Sequence, residues 1–370
     1  MKITIERAAL LKSLGHVQSV VERRNTIPIL SNVKLSARDG RLDLNATDMD
    51  LDIVAGVEAD VSQDGATTAP AHTLYEFVRR LPDGAQVELE ASEGNLALRS
   101  GRANGSLACL PTEDFPVMAS GDPTHGFELP AGDLKALIDH TRFAISTEET
   151  RYYLNGVYLH AAERDGSAVL RAVATDGHRL ALSEGPLPDG AAGMPGVIVP
   201  RKTVAELRKL LEDVTGNVSV ALSEAKVRFS FEEAVLTSKL IDGTFPDYQR
   251  VIPEGNDKVL ETECAGFVKA VELVSSITSE KSRAIKLAIS DAGMTLSASS
   301  TEQGSATYDL EVSYGGDSLE IGFNARYLLD IAQQIEGGTL RFTFADSASP
   351  TIIQDVDDAA ALYVLMPMRV

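Results

Sequence analysis

The strongest constraint on the fold is an internal repeat, because Ala174-Thr175-Asp176 repeats Ala46-Thr47-Asp48 from 128 residues earlier. Alignment outward from these copies pairs two further segments at a spacing of 130 residues: Phe115-Pro116 with Phe245-Pro246, and Pro70 with Pro200. Solenoid repeats are only about 20 to 50 residues long. A period this much longer indicates that the repeating unit is a whole domain.

A third copy fits in the remainder of the 370 residues. One pattern of apolar residue, lysine, small residue and apolar residue occurs three times, in Leu11-Lys12-Ser13-Leu14, Leu134-Lys135-Ala136-Leu137 and Val268-Lys269-Ala270-Val271. Turn-forming residues at Ala119–Pro123 and Pro253–Asp257 mark the boundaries between copies. The sequence therefore predicts three similar domains in tandem, at 1–122, 123–253 and 254–370.

Hydrophobic periodicity predicts two helices in each domain. In the first half of each repeat a short strand precedes an amphipathic stretch, at Arg7 to Val21, Leu134 to Ile145 and Phe267 to Ile277. In the second half, apolar residues recur at helical spacing in three sets: Leu74, Phe77, Val78 and Leu81; Val204, Leu207 and Leu211; Leu328, Ile331, Ala332 and Ile335. Six helices per chain are expected.

Segments of alternating polarity around these helices predict strands. They are Lys2–Ile5, Gln86–Glu90, Leu96–Leu98, Phe127–Leu129, Val218–Leu222, Val227–Ser230 and Leu260–Thr262. Short turns rich in Gly, Asn and Asp separate them, as expected for antiparallel sheets with one solvated face. The predicted fold class is α+β, with two helices packed on antiparallel sheets in each domain.

Several classes of protein are disfavoured. Cys109 and Cys264 fall in different domains and have no local metal-ligand partner, so both are expected to be buried free thiols, with no metal site. No leader precedes Lys2, and no apolar run approaches a membrane span, which predicts a cytoplasmic protein without membrane contact. No nucleotide, zinc or calcium motif occurs, so no cofactor is expected. Asp176 and His178 could resemble an acid/base pair, but no nucleophile motif accompanies them, and catalysis is not expected.

Charge is distributed unevenly along a chain whose net charge is −20. The helix windows 6–24, 72–81, 132–143, 201–212, 265–278 and 324–335 hold fourteen Lys or Arg and nine Asp or Glu, a net +5 that leaves −25 elsewhere. Basic residues also decorate ordinary solvated helices. However, Lys12, Lys135 and Lys269 occupy one repeat position three times, which favours a shared surface facing a polyanion.

Four motifs, in this order, resemble the bacterial sliding-clamp family, the beta subunits of DNA polymerase III. They are Arg151–Gly156, Ala174–Ala181, Thr244–Pro253 and the terminal Met366–Val370, and the resemblance extends to Ile27–Leu30. It implies a head-to-tail homodimer forming a closed ring of six similar domains, with helices lining the hole. Twelve helices about 10 Å across, placed side by side, would enclose a hole of roughly 28 Å.

The resemblance also implies the function. Such a ring encircles duplex DNA without sequence specificity and tethers the replicative DNA polymerase, acting as a processivity factor without catalysis. The implied partners are a clamp loader and other proteins that carry clamp-binding peptides of the Gln-x-x-Leu-Phe kind. A three-domain protein-interaction scaffold that binds no DNA is the main alternative, and an enzyme is a more distant one.

The resemblance places a partner-peptide pocket between the second and third domains. Its implied residues are Leu154, Thr175, Gly177, His178, Arg179, Leu180, Pro246, Arg250, Val251, Val364, Leu365, Met366, Pro367, Met368 and Arg369. Apolar walls, adaptable methionines and a glycine that admits close backbone approach suit a peptide site. The alternative is that the terminal Leu365–Met368 merely completes a strand and packs on its own core.

DNA contact is expected from basic and aromatic residues. The candidates are Lys12, Arg24, Arg79, Arg80, Lys135, Arg151, Tyr152, Tyr153, Arg201, Lys202 and Lys269. Exposed tyrosines beside an arginine can stack on an unpaired base. The alternative for Tyr152 and Tyr153 is packing within a strand. Glu148 and Glu149 depart from the family pattern and are expected to weaken the local attraction to DNA.

Overall fold

The computed structural model describes residues 1–119, 121–278 and 283–369. Ser120, in the first predicted boundary, and Val370, in the predicted tail motif, lie outside the described residues. The chain forms two compact units: the first comprises Met1–Leu134, Pro188–Ala192 and Lys202–Leu240, and the second comprises Lys135–Leu187, Gly193–Arg201 and Ile241–Val370. The middle repeat is thus divided between the two units.

The described residues form six α-helices, two in each repeat, as the periodicity predicts. They are α1 (Arg7–Gln18), α2 (Ala71–Arg79), α3 (Ala131–Asp139), α4 (Arg201–Leu210), α5 (Cys264–Ser275) and α6 (Ala325–Ala332). Among the described residues, none of the helices has the length and apolar composition of a membrane-spanning segment.

The predicted helix ends were wrong by several residues. Helix α1 ends at Gln18 rather than Val21, and α3 runs from Ala131 to Asp139 rather than from Leu134 to Ile145. Helix α1 begins at the predicted Arg7, whereas α5 begins at Cys264 rather than Phe267, and in both a side chain at the end of the preceding strand caps the helix. Glu6 accepts a hydrogen bond from the Ala9 N–H at 3.0 Å, and Glu263 caps α5 in the same way.

The described residues also form twenty-six strands. In the first repeat they are β1 (Lys2–Glu6), β2 (Asn32–Arg38), β3 (Arg41–Thr47), β4 (Leu51–Glu58), β5 (Asp60–Gln63), β6 (Gly65–Pro70), β7 (Gln86–Ser92), β8 (Asn95–Ser100) and β9 (Ala103–Ala108). In the second they are β10 (His125–Pro130), β11 (Gly156–Arg164), β12 (Ser167–Thr175), β13 (Arg179–Pro186), β14 (Val197–Pro200), β15 (Asn217–Leu222), β16 (Lys226–Ser230) and β17 (Ala234–Lys239). In the third they are β18 (Lys258–Glu263), β19 (Ala284–Ser290), β20 (Gly293–Ser300), β21 (Gly304–Leu310), β22 (Ser313–Tyr314), β23 (Leu319–Asn324), β24 (Thr339–Phe344), β25 (Thr351–Asp355) and β26 (Ala361–Leu365).

These strands build four antiparallel sheets. The first unit contains a five-stranded sheet, β5-β1-β7-β8-β9, and an eight-stranded sheet, β10-β15-β16-β17-β4-β3-β2-β6. The second unit contains a nine-stranded sheet, β14-β11-β12-β13-β26-β25-β24-β18-β22, and a four-stranded sheet, β21-β20-β19-β23. The predicted antiparallel α+β class is confirmed.

In each unit, one strand pair joins two different repeats. In the first unit β17 pairs with β4, from Ala234 opposite Ala55 to Ser238 opposite Leu51. In the second unit β13 pairs with β26, from Arg179 opposite Leu365 to Ser183 opposite Ala361. Each junction therefore merges the sheets of two repeats through backbone hydrogen bonds.

In the first and third repeats, the core lies where helices pack against the sheets. Leu10, Leu14 and Val17 of α1 are completely buried, and α1 packs against β3 and β4. In the third repeat, α5 packs in the same way against β20 and β21. Burying each such side chain stabilises the fold by about 1.5–3 kcal/mol.

The cysteine prediction holds in part. Both thiols are free, but only Cys264 is buried, whereas Cys109 is partly exposed. Cys109 follows the end of β9, whose alternate residues face solvent, and this explains its exposure. No group of three or more His, Cys, Asp and Glu side chains suited to a metal ion occurs within the described ranges.

Asp52 in β4 is a buried acid at the first junction. Its side chain is only 7% exposed, and one carboxylate oxygen has no hydrogen-bond partner among the described residues. Burial raises the pKa of Asp52 to about 6, against an ordinary value of 3.8, although Asn45 opposes the shift. Because the pKa is higher in the folded state, the contribution of Asp52 to the free energy of unfolding is largest below pH 3.8. This contribution is lost as the pH rises through 6.

We expect Asp52→Asn to stabilise the protein at pH 7.5, by up to about 3 kcal/mol, because it removes a buried charge. The gain should shrink at pH 4.5, where the wild-type carboxyl is already protonated. Thermal unfolding from pH 4.5 to 8 measures both effects. Asp64→Asn, at an exposed site in the same unit, is the matched control. An equal gain at both pH values would contradict the assignment.

Candidate functional site

The turn between β12 and β13 presents its backbone to solvent. The Thr175 hydroxyl donates to the Arg179 carbonyl at 2.7 Å, and Asp176 Oδ1 accepts from the backbone N–H groups of His178 and Arg179 at 2.9 and 3.1 Å. Gly177 has a φ of +89°, and a Cβ there would lie 2.5 Å from the Arg151 guanidinium. This backbone conformation favours glycine, and Asp176 acts as a turn-forming group rather than a partner for the His178 ring.

The same turn occurs in the first unit, as the sequence repeat predicts. The Thr47 hydroxyl donates to the Leu51 carbonyl at 2.9 Å, and Asp48 Oδ1 accepts from the backbone N–H groups of Asp50 and Leu51. Met49 replaces the glycine and adopts a φ of 76°. The repeated Ala-Thr-Asp motif thus forms the same hydrogen bonds in both turns, whether glycine or methionine follows the aspartate.

The Arg179 side chain lies beneath the turn and is 8% exposed. Its guanidinium donates to Asp176 at 3.1 Å, to Asp330 of α6 at 2.6 Å and to the Phe143 carbonyl at 2.8 Å. It also lies over the Tyr327 ring, 4.3 Å from the centroid. The predicted pocket residue Arg179 therefore supports the turn from below.

An apolar cluster in the second unit unites several of the predicted pocket residues. Its buried members are Leu154, Val173, Leu180, Leu182, Ile198, Phe245, Tyr248 and Val364. Leu180 of β13 lies opposite Val364 of β26 in the junction between the second and third repeats. The predicted Leu154, Leu180 and Val364 therefore form a common apolar floor.

The segment Thr244–Pro253, called the wall segment below, contributes the predicted Pro246, Arg250 and Val251. Phe245 and Tyr248 anchor this segment in the apolar cluster. Between and beyond these anchors, Pro246 and Arg250 are exposed, and Val251 is 47% exposed. Arg250 contacts Asp247 at 2.6 Å. The wall segment thus presents a mixed apolar and charged edge.

The C-terminal tail is attached through its backbone and leaves its methionines exposed. Leu365 is fully buried in β26, after which the Met366 N–H donates to the His178 carbonyl at 2.9 Å and the Met368 N–H donates to the Gly322 carbonyl at 2.8 Å. The Met366 and Met368 side chains are 40% and 38% exposed. The predicted alternative, in which the tail packs on its own core, explains the burial of Leu365 but not the exposure of Met366 and Met368. Pro367 is partly buried and Arg369 is exposed.

Most of the predicted DNA-contact cations already have acidic partners. Arg79 and Arg80 contact Glu76 at 2.9 and 3.3 Å, Lys135 contacts Asp139 at 2.8 Å, Lys202 contacts Asp48 at 2.5 Å, Arg151 contacts Glu148 at 2.6 Å, and Lys12 lies 3.7 Å from Glu233. Arg24, Arg201 and Lys269 are exposed and form no ion pair within the described residues. Hydrogen bonding to Arg151 lowers the pKa of Glu148, so that this carboxylate stays charged and offsets the arginine.

Tyr152 and Tyr153 occupy a 3₁₀ turn, Glu149–Leu154, rather than a strand. Their rings meet edge to face at 5.8 Å. Tyr152 is 53% exposed, whereas Tyr153 packs against the apolar cluster. Tyr152 is therefore placed to stack on an external base, whereas Tyr153 packs against the apolar cluster, although not within a strand as the alternative predicted.

Three family models together match nearly the whole chain. They describe the N-terminal domain of the DNA polymerase III beta subunit, which matches residues 1–119, its central domain, which matches 128–247, and its C-terminal domain, which matches 249–369. The chain belongs to the bacterial sliding-clamp family. It is 56% identical to the beta sliding clamp of Caulobacter vibrioides and 40% identical to that of Salmonella typhimurium, each over 100% of both chains.

Solved sliding clamps share the fold. A clamp from Bartonella birtlesii, solved bound to griselimycin, is 50% identical, covers 100% of both chains and has a TM-score of 0.97. The C. crescentus clamp is 56% identical, with a TM-score of 0.96, over 100% of this chain and 99% of that one. The chain is therefore built from three tandem clamp domains, as the sequence repeat predicts.

Several residues of this candidate site escaped the sequence analysis. Asp330 and Tyr327 of α6 hold Arg179, and Tyr158, His160 and Arg171 support the wall segment. Alternation along β11 could have placed Tyr158 and His160 on one face. Nothing in the sequence indicates that Asp330 lies beside Arg179, 151 residues away.

We expect Arg179→Ala to destabilise the second unit by about 2 to 4 kcal/mol. Removing one partner of a buried pair costs roughly 3–5 kcal/mol, and Asp176 and Asp330 here keep some contact with water. Thermal unfolding measures the loss. The matched control is Arg250→Ala, whose side chain is 84% exposed beside Asp247, and which should change stability by no more than about 0.5 kcal/mol. Equal losses in both variants would contradict the role of Arg179.

Proposed function

We propose that this protein is a sliding clamp, a non-catalytic processivity factor that encircles duplex DNA and tethers the replicative polymerase. The observation that carries the proposal is the full-length match to beta sliding clamps, over all three domains. Tethering keeps the polymerase at a high effective concentration near its template. A clamp loader and other proteins with clamp-binding peptides are the further partners that we propose, and the proposed domain boundaries are 1–122, 123–253 and 254–370.

Strand topology supports closure into a head-to-tail homodimer. In the first unit β4 pairs with β17, and in the second unit β13 pairs with β26. By repeat position, β4 and β13 correspond to β21 of the third repeat, while β17 and β26 correspond to β9 of the first. Both β9 and β21 are edge strands. Pairing β21 of one chain with β9 of another would repeat the same junction and close a ring.

The proposed peptide site combines the exposed turn, the wall segment and the tail. The turn offers an exposed glycine, the floor offers Leu180 and Val364, and the tail offers the exposed side chains of Met366 and Met368. Methionine side chains adapt to different ligands because they are flexible and polarizable. We infer that this site receives the apolar end of clamp-binding peptides.

Electrostatics supports topological rather than ionic retention on DNA. Within the observed helix bounds, Lys and Arg exceed Asp and Glu by only four. Most of the Lys and Arg residues predicted to contact DNA already form ion pairs with acidic side chains, and the net charge of the whole chain is −20. We propose that Arg24, Arg201 and Lys269, with Tyr152, make the direct but weak DNA contacts, and that the closed ring holds the DNA.

We expect protein loaded on nicked circular DNA to survive a moderate-salt wash and to be released within minutes of linearisation. Ionic binding alone would lose about 10³ to 10⁵ in affinity between 50 and 200 mM salt, whereas a closed ring has no exit from a circle. Gel filtration of labelled protein before and after restriction cleavage is the measurement. Equal retention on circular and linear DNA would favour ordinary binding, and failure to load would favour a scaffold.

We expect deletion of Met366 to Val370 to abolish binding of a Gln-x-x-Leu-Phe peptide and to leave the dimer intact. The tail lines the proposed pocket, but the β26 ladder ends at Leu365. Peptide titration and sedimentation, the latter against a 39.5 kDa chain, measure the two effects. Replacing Met366 and Met368 with Ala in the full-length chain tests the side chains alone. Unchanged affinity would remove the tail from the pocket, and loss of the dimer would give it a structural role.

A further inference from the structure

Four aromatic rings form a closed group behind the wall segment, called the aromatic box below. Tyr158 stacks on Phe245 at 4.8 Å and on His160 at 4.6 Å, measured between ring centroids. Tyr248 completes the group, with its ring 5.8 Å from that of His160 and 6.4 Å from that of Phe245. Two rings thus come from β11 and two from the wall segment, so β11 holds the wall segment in place.

Hydrogen bonds through the aromatic box determine where its protons lie. Arg171 Nη1 donates to the Tyr248 hydroxyl oxygen at 2.8 Å. His160 Nε2 lies 3.0 Å from the same oxygen, and His160 Nδ1 lies 2.9 Å from the Ala161 carbonyl oxygen. A carbonyl only accepts, so Nδ1 carries the proton and Nε2 accepts from the Tyr248 hydroxyl. The network is complete only when His160 is neutral.

The surroundings of His160 favour this neutral form. Burial lowers the pKa of His160, and the positive charge of Arg171 lowers it further, whereas the Ala161 carbonyl and Glu184 raise it. Arg171 and Glu184 form a buried ion pair with each other. Four titratable or charged side chains surround the His160 ring: Tyr158 of β11, Arg171 of β12, Glu184 of β13 and Tyr248 of the wall segment. Protonation at Nε2 would deprive the buried Tyr248 hydroxyl of its acceptor.

The aromatic box is continuous with the proposed peptide site. Phe245 directly precedes Pro246, and Tyr248 begins the 3₁₀ turn Tyr248–Val251 that carries Arg250 and Val251. Phe245 and Tyr248 are 8% and 6% exposed and also belong to the apolar floor. A change in the position of Tyr248 is therefore transmitted to the pocket-lining residues on either side of it.

We propose that His160 is a positioning residue of the partner-peptide site, which in its neutral form holds the wall segment in the peptide-binding arrangement. This inference rests on the proposed function. Peptide affinity then falls as His160 is protonated, and by reciprocity a bound peptide makes His160 harder to protonate. No contact between His160 and the peptide is required.

The test is the affinity of the acetylated, amidated peptide Gln-Ala-Ala-Leu-Phe, which contains no titratable group, from pH 5.5 to 8.0. We expect the Kd of the wild type to rise steadily toward the acid end, by less than about tenfold at pH 5.5 because the pKa of His160 lies below the ordinary 6.5. His160→Gln keeps an acceptor for Tyr248 but does not titrate, so its Kd should match the wild type at pH 7.5 and stay constant. Tyr248→Phe should bind more weakly at pH 7.5 and also lose the pH dependence.

Histidine NMR provides a second measurement, since the pKa of His160 should fall when the peptide binds. His125→Gln, in a different sheet, is the matched control and should keep the wild-type profile. A constant wild-type Kd, or a His160→Gln variant with the full pH dependence, would overturn the proposal; the second result would point to another group such as His178. Absence of binding by the wild type at every pH would instead contradict the proposed pocket itself.

Discussion

Backbone pairing between the edge strands of neighbouring repeats is the interaction on which the rest of this structure depends. An unpaired strand edge exposes a row of hydrogen-bonding groups, and here β4 and β13 are covered by strands from the following repeat. The proposed peptide site exists because of this pairing. It places β26 beside β13, and with it the tail beside the turn at Thr175–Arg179.

Two different supports hold the proposed site around that junction. Under the turn, the Arg179 guanidinium joins two carboxylates, a carbonyl and two aromatic faces, a set of contacts that the ammonium of lysine would not reproduce. Behind the wall segment, support comes from ring packing and from a hydroxyl that both accepts from Arg171 and donates to His160. The turn is thus supported by a cluster of ion pairs, whereas the wall segment is supported by ring packing and a hydrogen-bonded histidine.

The distribution of charge fits the proposed retention of DNA by a closed ring rather than by ionic attraction. Most of the candidate cations have an acidic partner on the same or a neighbouring element, which reduces the field they present to a phosphate backbone. Exposed pairs of this kind contribute little to stability, about 0–1 kcal/mol each. Their main physical effect is therefore to moderate attraction, in agreement with a mechanism of topological retention.

The sequence by itself determined the three-domain plan, the six helices and the antiparallel α+β class, because repeats and hydrophobic periodicity are local signals. It also identified the repeated Ala-Thr-Asp motif, whose hydrogen bonds lie within five consecutive residues. The start of α5 was missed because capping by Glu263 depends on hydrogen bonds that leave no apolar pattern. Only the tertiary structure decided which cations are neutralised, that Arg179 is buried against Asp330, and that His160 meets Tyr248. Each of these depends on contacts between residues far apart in the chain, and an isolated charged or aromatic residue has the same appearance in sequence whether or not such a partner exists.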